Sequence, residues 1–150
     1  MVLINKNEGV VAVVLAAGTG LRMNGTDKML ACLDGRSLLE WSLNVLDSCE
    51  EIDAIQLVVP DHEESSLVGI GRTAVRRSEF RVCSGGPSRA VSTLYGLRAA
   101  SNGDFVWAIV HDGARPFITN DMVVSSLEAA AITGAAITAM PATDTVQISD

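Results

Sequence analysis

The chain has 150 residues, of which 48% are hydrophobic, 19% charged and 4% aromatic. At this length folding removes on the order of two thirds of the unfolded chain's surface from water, enough for one core without disulfide or metal staples, so a folded chain is expected rather than a disordered one. Eleven Lys and Arg against eighteen Asp and Glu give a formal charge of -7. That balance argues against nonspecific nucleic-acid or anionic-membrane partners, which need a broad basic face, but allows a local anion site.

Met1 to Gly9 lacks the apolar stretch and small-residue cleavage site of a secretory signal. The longest apolar run, Val10 to Ala17, has eight residues, less than half of what a spanning helix needs. Cys32, Cys49 and Cys83 form an odd set without CxxC spacing, which fits reduced, packing thiols. The expectation is a soluble cytoplasmic protein, or a plastid one whose transit peptide has been removed.

Short apolar runs rich in Val and Ile occur at Val10 to Leu15, Ala54 to Val59, Phe80 to Cys83, Phe105 to Val110 and Ala135 to Met140. Each is expected to be a strand buried on both faces. Between them lie helical spacings. Ser37-Leu-Leu-Glu40 has the form of a capping box and opens a helix through Leu46. The acidic stretch after Pro60 opens a second helix. A third runs from about Ser88 to Ala100, with Ser88 as cap, and a fourth from about Asn120 to Thr133, with Asn120 as cap and Gly134 just past its end. Trp41, Trp107 and Tyr95 are expected in the core, and Arg72, Arg76, Arg77 and Arg81 on a solvated face. Alternating strand and helix predicts a doubly wound, mostly parallel α/β sheet in a single domain over residues 1–150.

In such sheets ligands bind beyond the carboxyl ends of the strands. Gly18-Thr-Gly20-Leu-Arg22 follows the first strand, Gly85-Gly86 the third, His111-Asp112-Gly113-Ala114-Arg115 the fourth and Ala142-Thr-Asp-Thr145 the fifth. The first loop suits an anion cradle, with Arg22 and Lys28 adding charge, but it matches neither the dinucleotide fingerprint nor a P-loop. An ordinary turn with two solvated cations is the alternative. Gly85-Gly86 brings bare backbone to a flat ligand, with Ser92 one turn into the helix, or is only a turn and a cap. Asp112 suits a divalent cation and Arg115 a phosphate; alternatively the two pair and shape the loop. His111 is expected as a packed strand-end histidine and His62 as a surface residue.

Leu15-Ala-Ala-Gly-Thr-Gly-Leu-Arg-Met23, Lys28, Gly85-Gly-Pro-Ser-Arg-Ala-Val-Ser92, Val110-His-Asp-Gly-Ala-Arg-Pro116 and Pro141-Ala-Thr-Asp-Thr145, in this order, resemble the 2-C-methyl-D-erythritol 4-phosphate cytidylyltransferase family of isoprenoid precursor biosynthesis. The first motif marks sugar-nucleotide-type transferases in general. The His-Asp-x-Ala-Arg-Pro and Pro-x-x-Asp-Thr elements are more specific. The resemblance implies a Rossmann-like nucleotidyltransferase fold and transfer of CMP from CTP to methylerythritol phosphate, with release of pyrophosphate and help from Mg2+ or another divalent cation. It implies that Ala16, Ala17, Gly18 and Gly20, with Arg22 and Lys28 as catalytic residues, hold the triphosphate. Gly85, Gly86 and Ser92 read the cytosine, and Asp112 serves the metal. Arg115 and Thr145 hold the acceptor, Thr145 acting across a homodimer interface.

Asp27-Lys28-Met29 stands where the family commonly has Pro-Lys-Gln, and Gln147 where a lysine is common. Asp27-Lys28 also resembles molybdenum-cofactor nucleotidyltransferases, and His-Asp-x-x-Arg-Pro is shared with cytidylyltransferases for ribitol or related polyol phosphates. Family members are longer. The resemblance therefore implies a chain truncated at its C-terminus, lacking the dimer arm and part of the acceptor site. A noncatalytic nucleotide-binding remnant is the competing expectation from a different class.

Overall fold

A computed structural model of the chain describes residues 8–18, 28–60 and 66–141. Four strands, β1 (Gly9–Leu15), β4 (Ala54–Val59), β5 (Glu79–Ser84) and β6 (Phe105–Asp112), form a parallel sheet in the order β5-β4-β1-β6. A two-residue pair, β2 (Cys32–Leu33) and β3 (Arg36–Ser37), makes a separate hairpin. The helices are α1 (Leu38–Ser48), α2 (Ser66–Ala74), α3 (Arg89–Ala100) and α4 (Asn120–Thr133). None of the described helices is long and apolar enough to cross a membrane.

The chain steps outward from β1 to β4 to β5 with α1 and α2 on one face, then returns past β1 to β6. Crossovers of one hand require the returning helix to lie on the other face. That is where α3 packs, against Val13, Leu15 and Val58 through Leu97 and against Val11 and Ala54 through Ala100. The opposite face buries Val10, Ala12, Val14, Ile55 and Leu57 under Leu39, Leu43 and Leu46 of α1, Leu67 of α2, and Val123 and Leu127 of α4. The direction of winding reverses between β1 and β6, so the ligand crevice of such a sheet belongs beyond their carboxyl ends.

Local signals account for most boundaries. Ser37 Oγ accepts from Glu40 N at 3.1 Å and Ser88 Oγ from Val91 N at 3.2 Å, capping α1 and α3. The cap of α4 is Thr119, not Asn120; its Oγ1 accepts from Met122 N at 3.2 Å, both residues being good caps and Thr119 holding the extended backbone a cap requires. Gly134 ends α4 with φ 86°.

Five expectations need correction. Residues 135–141 are not a strand: they are irregular and exposed, Ile137 at 89%. An apolar run becomes a strand only with a ladder partner, and none of the described strands supplies one. β6 is not buried on both faces, because Val106, Ala108 and Val110 alternate outward on a side that α3 covers only in part. Tyr95 is 42% exposed rather than core, and Cys32 is an exposed thiol. Finally, Arg77 does more than sit on a solvated face: its guanidinium donates to the carbonyls of Asp47 and Cys49, which the end of α1 leaves open, and to that of Ile52 in the connection to β4. His62 and the stretch after Pro60 fall in 61–65, outside the described residues.

Candidate active site

The loops that follow β1, β5 and β6 meet at one rim. Beyond β1, Ala16 N donates to Val58 O at 2.7 Å, and Leu15 O accepts from Gly113 N at 3.0 Å, so the β1 end is tied to both neighbours. Beyond β5, Gly85 N donates to Val59 O at 2.7 Å. A Cβ on Gly85 would collide with the Ala17 side chain and lie 2.9 Å from Ser92 Oγ. Only glycine lets these two loops close on each other, and the result is backbone brought bare to the rim. Ser92, buried in α3, turns its hydroxyl to this loop, accepting from Gly86 N at 3.1 Å. The Tyr95 ring, expected in the core rather than at a site, borders the same loop: its Cε2 would lie 3.3 Å from a Cβ on Gly86.

At the end of β6, Asp112 to Arg115 form a braced turn. Arg115 N donates to Asp112 O at 3.0 Å. Ser42, fully buried in α1, places its hydroxyl 2.9 Å from Gly113 O and 3.2 Å from Arg115 O. The His111 Nε2 lies 3.2 Å from Arg115 O. Burial pushes the His111 imidazole below its ordinary pKa, outweighing the opposing pull of the Arg115 carbonyl and Asp112. A neutral ring with its proton on Nε2 fits that contact. His111 is thus a strand-end brace, as expected, and Ser42 is a second brace that the sequence pattern did not reveal.

Asp112 is engaged on both oxygens. Arg115 Nη2 lies 3.1 Å from Oδ2, the internal pair weighed above, and Arg89 Nε lies 2.9 Å from Oδ1. The Asp112 side chain is 25% exposed, those of Arg89 and Arg115 64% and 76%. Lys28 begins a 3-10 turn, Lys28–Leu30, whose Met29 sulfur would lie 3.3 Å from a Cβ on Gly113. That turn therefore abuts the Asp112 loop. The structure thus brings Ala16, Ala17, Gly85, Gly86, Ser92, Asp112 and Arg115 to one rim, with Gly18 continuing from β1 and the Lys28 turn alongside. Gly20, Arg22 and Thr145 lie outside the described residues.

Among the described residues no cluster of three His, Cys, Asp or Glu side chains forms a metal cage. Magnesium does not require one; it commonly binds through one or two carboxylates together with substrate phosphates. A single strand-end carboxylate beside a glycine cradle fits an ion that arrives with a nucleotide.

Solved structures define the class. A 4-diphosphocytidyl-2C-methyl-D-erythritol synthase from Anaerococcus prevotii DSM 20548 superposes with TM-score 0.78 at 30% identity, over 96% of this chain and 60% of that one. A second structure of that name matches with TM-score 0.75 at 22% identity, over 95% and 64%, a likeness of fold. The sheet is that of a Rossmann-like nucleotidyltransferase.

The family model for 2-C-methyl-D-erythritol 4-phosphate cytidylyltransferase matches residues 10–150. The chain belongs to that family. A 2-C-methyl-D-erythritol 4-phosphate cytidylyltransferase from Dehalococcoides mccartyi (strain CBDB1) is 38% identical over 141 residues, 94% of this chain and 61% of the relative. The chain thus spans about three fifths of the length of these two relatives.

Proposed function

We propose that residues 1–150 form one nucleotide-binding and catalytic domain of a cytidylyltransferase that transfers CMP from CTP to 2-C-methyl-D-erythritol 4-phosphate and releases pyrophosphate. The observation that carries this reading is the convergence of the β1, β5 and β6 loops on a rim where bare glycine backbone faces a charged Asp112 cluster. Donors held by a folded rim need little reorganisation as charge develops at the α-phosphorus, so the chemistry runs on positioning and electrostatics.

In this reading Ala16, Ala17, Gly18 and Gly20 line the triphosphate, and Arg22 and Lys28 neutralise the building charge. Gly85 and Gly86 present backbone to the cytosine, with Ser92 fixing that loop. Asp112 would hold a magnesium ion, which would neutralise charge on the triphosphate. Arg115 and Thr145 hold the acceptor phosphate, Thr145 from across the homodimer interface of the full-length protein. The free thiols of Cys32, Cys49 and Cys83 support a reducing, cytoplasmic setting.

Calorimetry of the chain with CTP, UTP, GTP and ATP tests the nucleotide assignment: CTP is expected to bind most tightly, and preference for GTP would favour the molybdenum-cofactor class instead. Pyrophosphate release with methylerythritol phosphate and with ribitol phosphate tests the acceptor. Turnover with ribitol phosphate alone would replace the proposed substrate; binding of CTP without release from either would identify a binding module.

A further inference from the structure

Arg77 is spent on closing the end of α1, and Arg81 pairs with Glu79 while lying over the Phe105 ring. Arg89 is placed differently. It is the first residue of α3, where a cation meets the positive end of the helix dipole, and the first turn contains no acidic residue to offset it. Its exposed side chain instead reaches the end of β6, 23 residues along the chain, to hold Asp112 Oδ1. With Arg115 on Oδ2, two positive charges surround one carboxylate. The trio is net cationic, so a lone divalent cation meets like charge and a carboxylate with both oxygens engaged.

We propose that Arg89 is a positioning residue that withholds Asp112 from divalent cations until a phosphate-bearing ligand takes its guanidinium. The inference rests on the reading of Asp112 as the cation-facing carboxylate. Arg115 belongs to the same braced turn as Asp112, whereas Arg89 opens α3, directly after the β5 loop. Its release therefore couples the two halves of the rim. No covalent bond changes: phosphate oxygens accept the Arg89 donors while Asp112 Oδ1 becomes available to the accompanying ion. Metal and nucleotide then strengthen each other's binding reciprocally.

Titration of the 150-residue chain with Mn2+ alone, following the free ion by electron spin resonance, tests this directly. Arg89→Ala is expected to tighten Mn2+ binding about tenfold, the effect of removing one nearby like charge at a partly exposed site. Arg89→Lys, which keeps the charge, is expected to stay close to wild type. The gain should vanish in the Asp112→Asn background. Equal Mn2+ affinity for wild type and Arg89→Ala would overturn the assignment, as would a gain that survives Asp112→Asn. A parallel CTP titration separates this from the parent reading: if CTP fails to bind while the Arg89→Ala gain persists, the cytidylyl reading fails and the role of Arg89 stands.

Discussion

The β4–β1 centre of the sheet and its β6 edge are built from similar residues and end up in different environments. Val10 to Leu15 and Ala54 to Val59 are buried throughout, because α1 and α2 cover one face and α3 the other. β6 pairs with β1 just as closely, yet Val106 is 63% exposed and Val110 38%. Composition makes a strand, but the covering layer decides what the strand is worth. At the centre, methyl groups stabilise the fold; at the edge, many of the same groups remain in water.

This contrast breaks most visibly in α1, which covers the centre. Leu43 is fully buried, and Leu43→Ala is expected to cost about 2–5 kcal/mol through lost transfer energy and a cavity, measured by urea unfolding. At the rim end of the same region Gly85→Ala is expected to cost about 1–3 kcal/mol by overpacking, since the new methyl collides with Ala17 and crowds Ser92. Calorimetry should show CTP affinity falling in the same variant. Unchanged stability and CTP affinity would mean that the β1 and β5 loops do not close as described.

Asp47 sharpens the picture by polar rather than apolar means. Its carboxylate accepts from Arg76 N at 2.9 Å, Arg77 N at 3.1 Å and Ser78 N at 2.8 Å, joining the end of α1 to the approach to β5. Burial alone would raise its pKa, but these bonds together outweigh burial and hold it below the ordinary 3.8. A carboxyl depressed in the folded state contributes fully above its unfolded pKa and loses that contribution as pH falls through the folded value. Asp47→Asn is therefore expected to cost about 1–2 kcal/mol at neutral pH and to flatten the loss of stability below about pH 4. An acid titration parallel to wild type would count against the role.

Legibility in the sequence follows the same division. The 54–59 run and the Ser37, Ser88 and Gly134 boundaries were readable because each rests on neighbouring residues. So were the candidate loops, since each follows a strand. The β2–β3 hairpin had its signature, Asp34-Gly35 with φ 50° and 78°, but its strands are too short for hydrophobic periodicity to show. Residues 135–140 carried a strand's composition without a described partner. The Arg89–Asp112 link, the Ser42 brace and the Asp47 network join residues 23 to 73 positions apart. No local pattern encodes such pairs; they appear only once the strands are ordered.

The smallest effect is the most discriminating. Val13 and Val106 lie on the α3 face of adjacent strands: Val13 is fully buried, with Gly96 packed on it, while Val106, beside Leu97 and Ala100 at the edge of the helix, stays 63% exposed. Val→Thr keeps the branched shape and strand preference and changes only a methyl to a hydroxyl. Val13→Thr buries that hydroxyl and is expected to cost about 1–3 kcal/mol, whereas Val106→Thr should stay within about 0.5 kcal/mol of wild type. The chemical change is the same, so the difference isolates the covering layer. If Val106→Thr instead costs as much as Val13→Thr, and the cost grows with protein concentration, the β6 face is covered in solution by a second copy. The edge then has the same energetic standing as the centre.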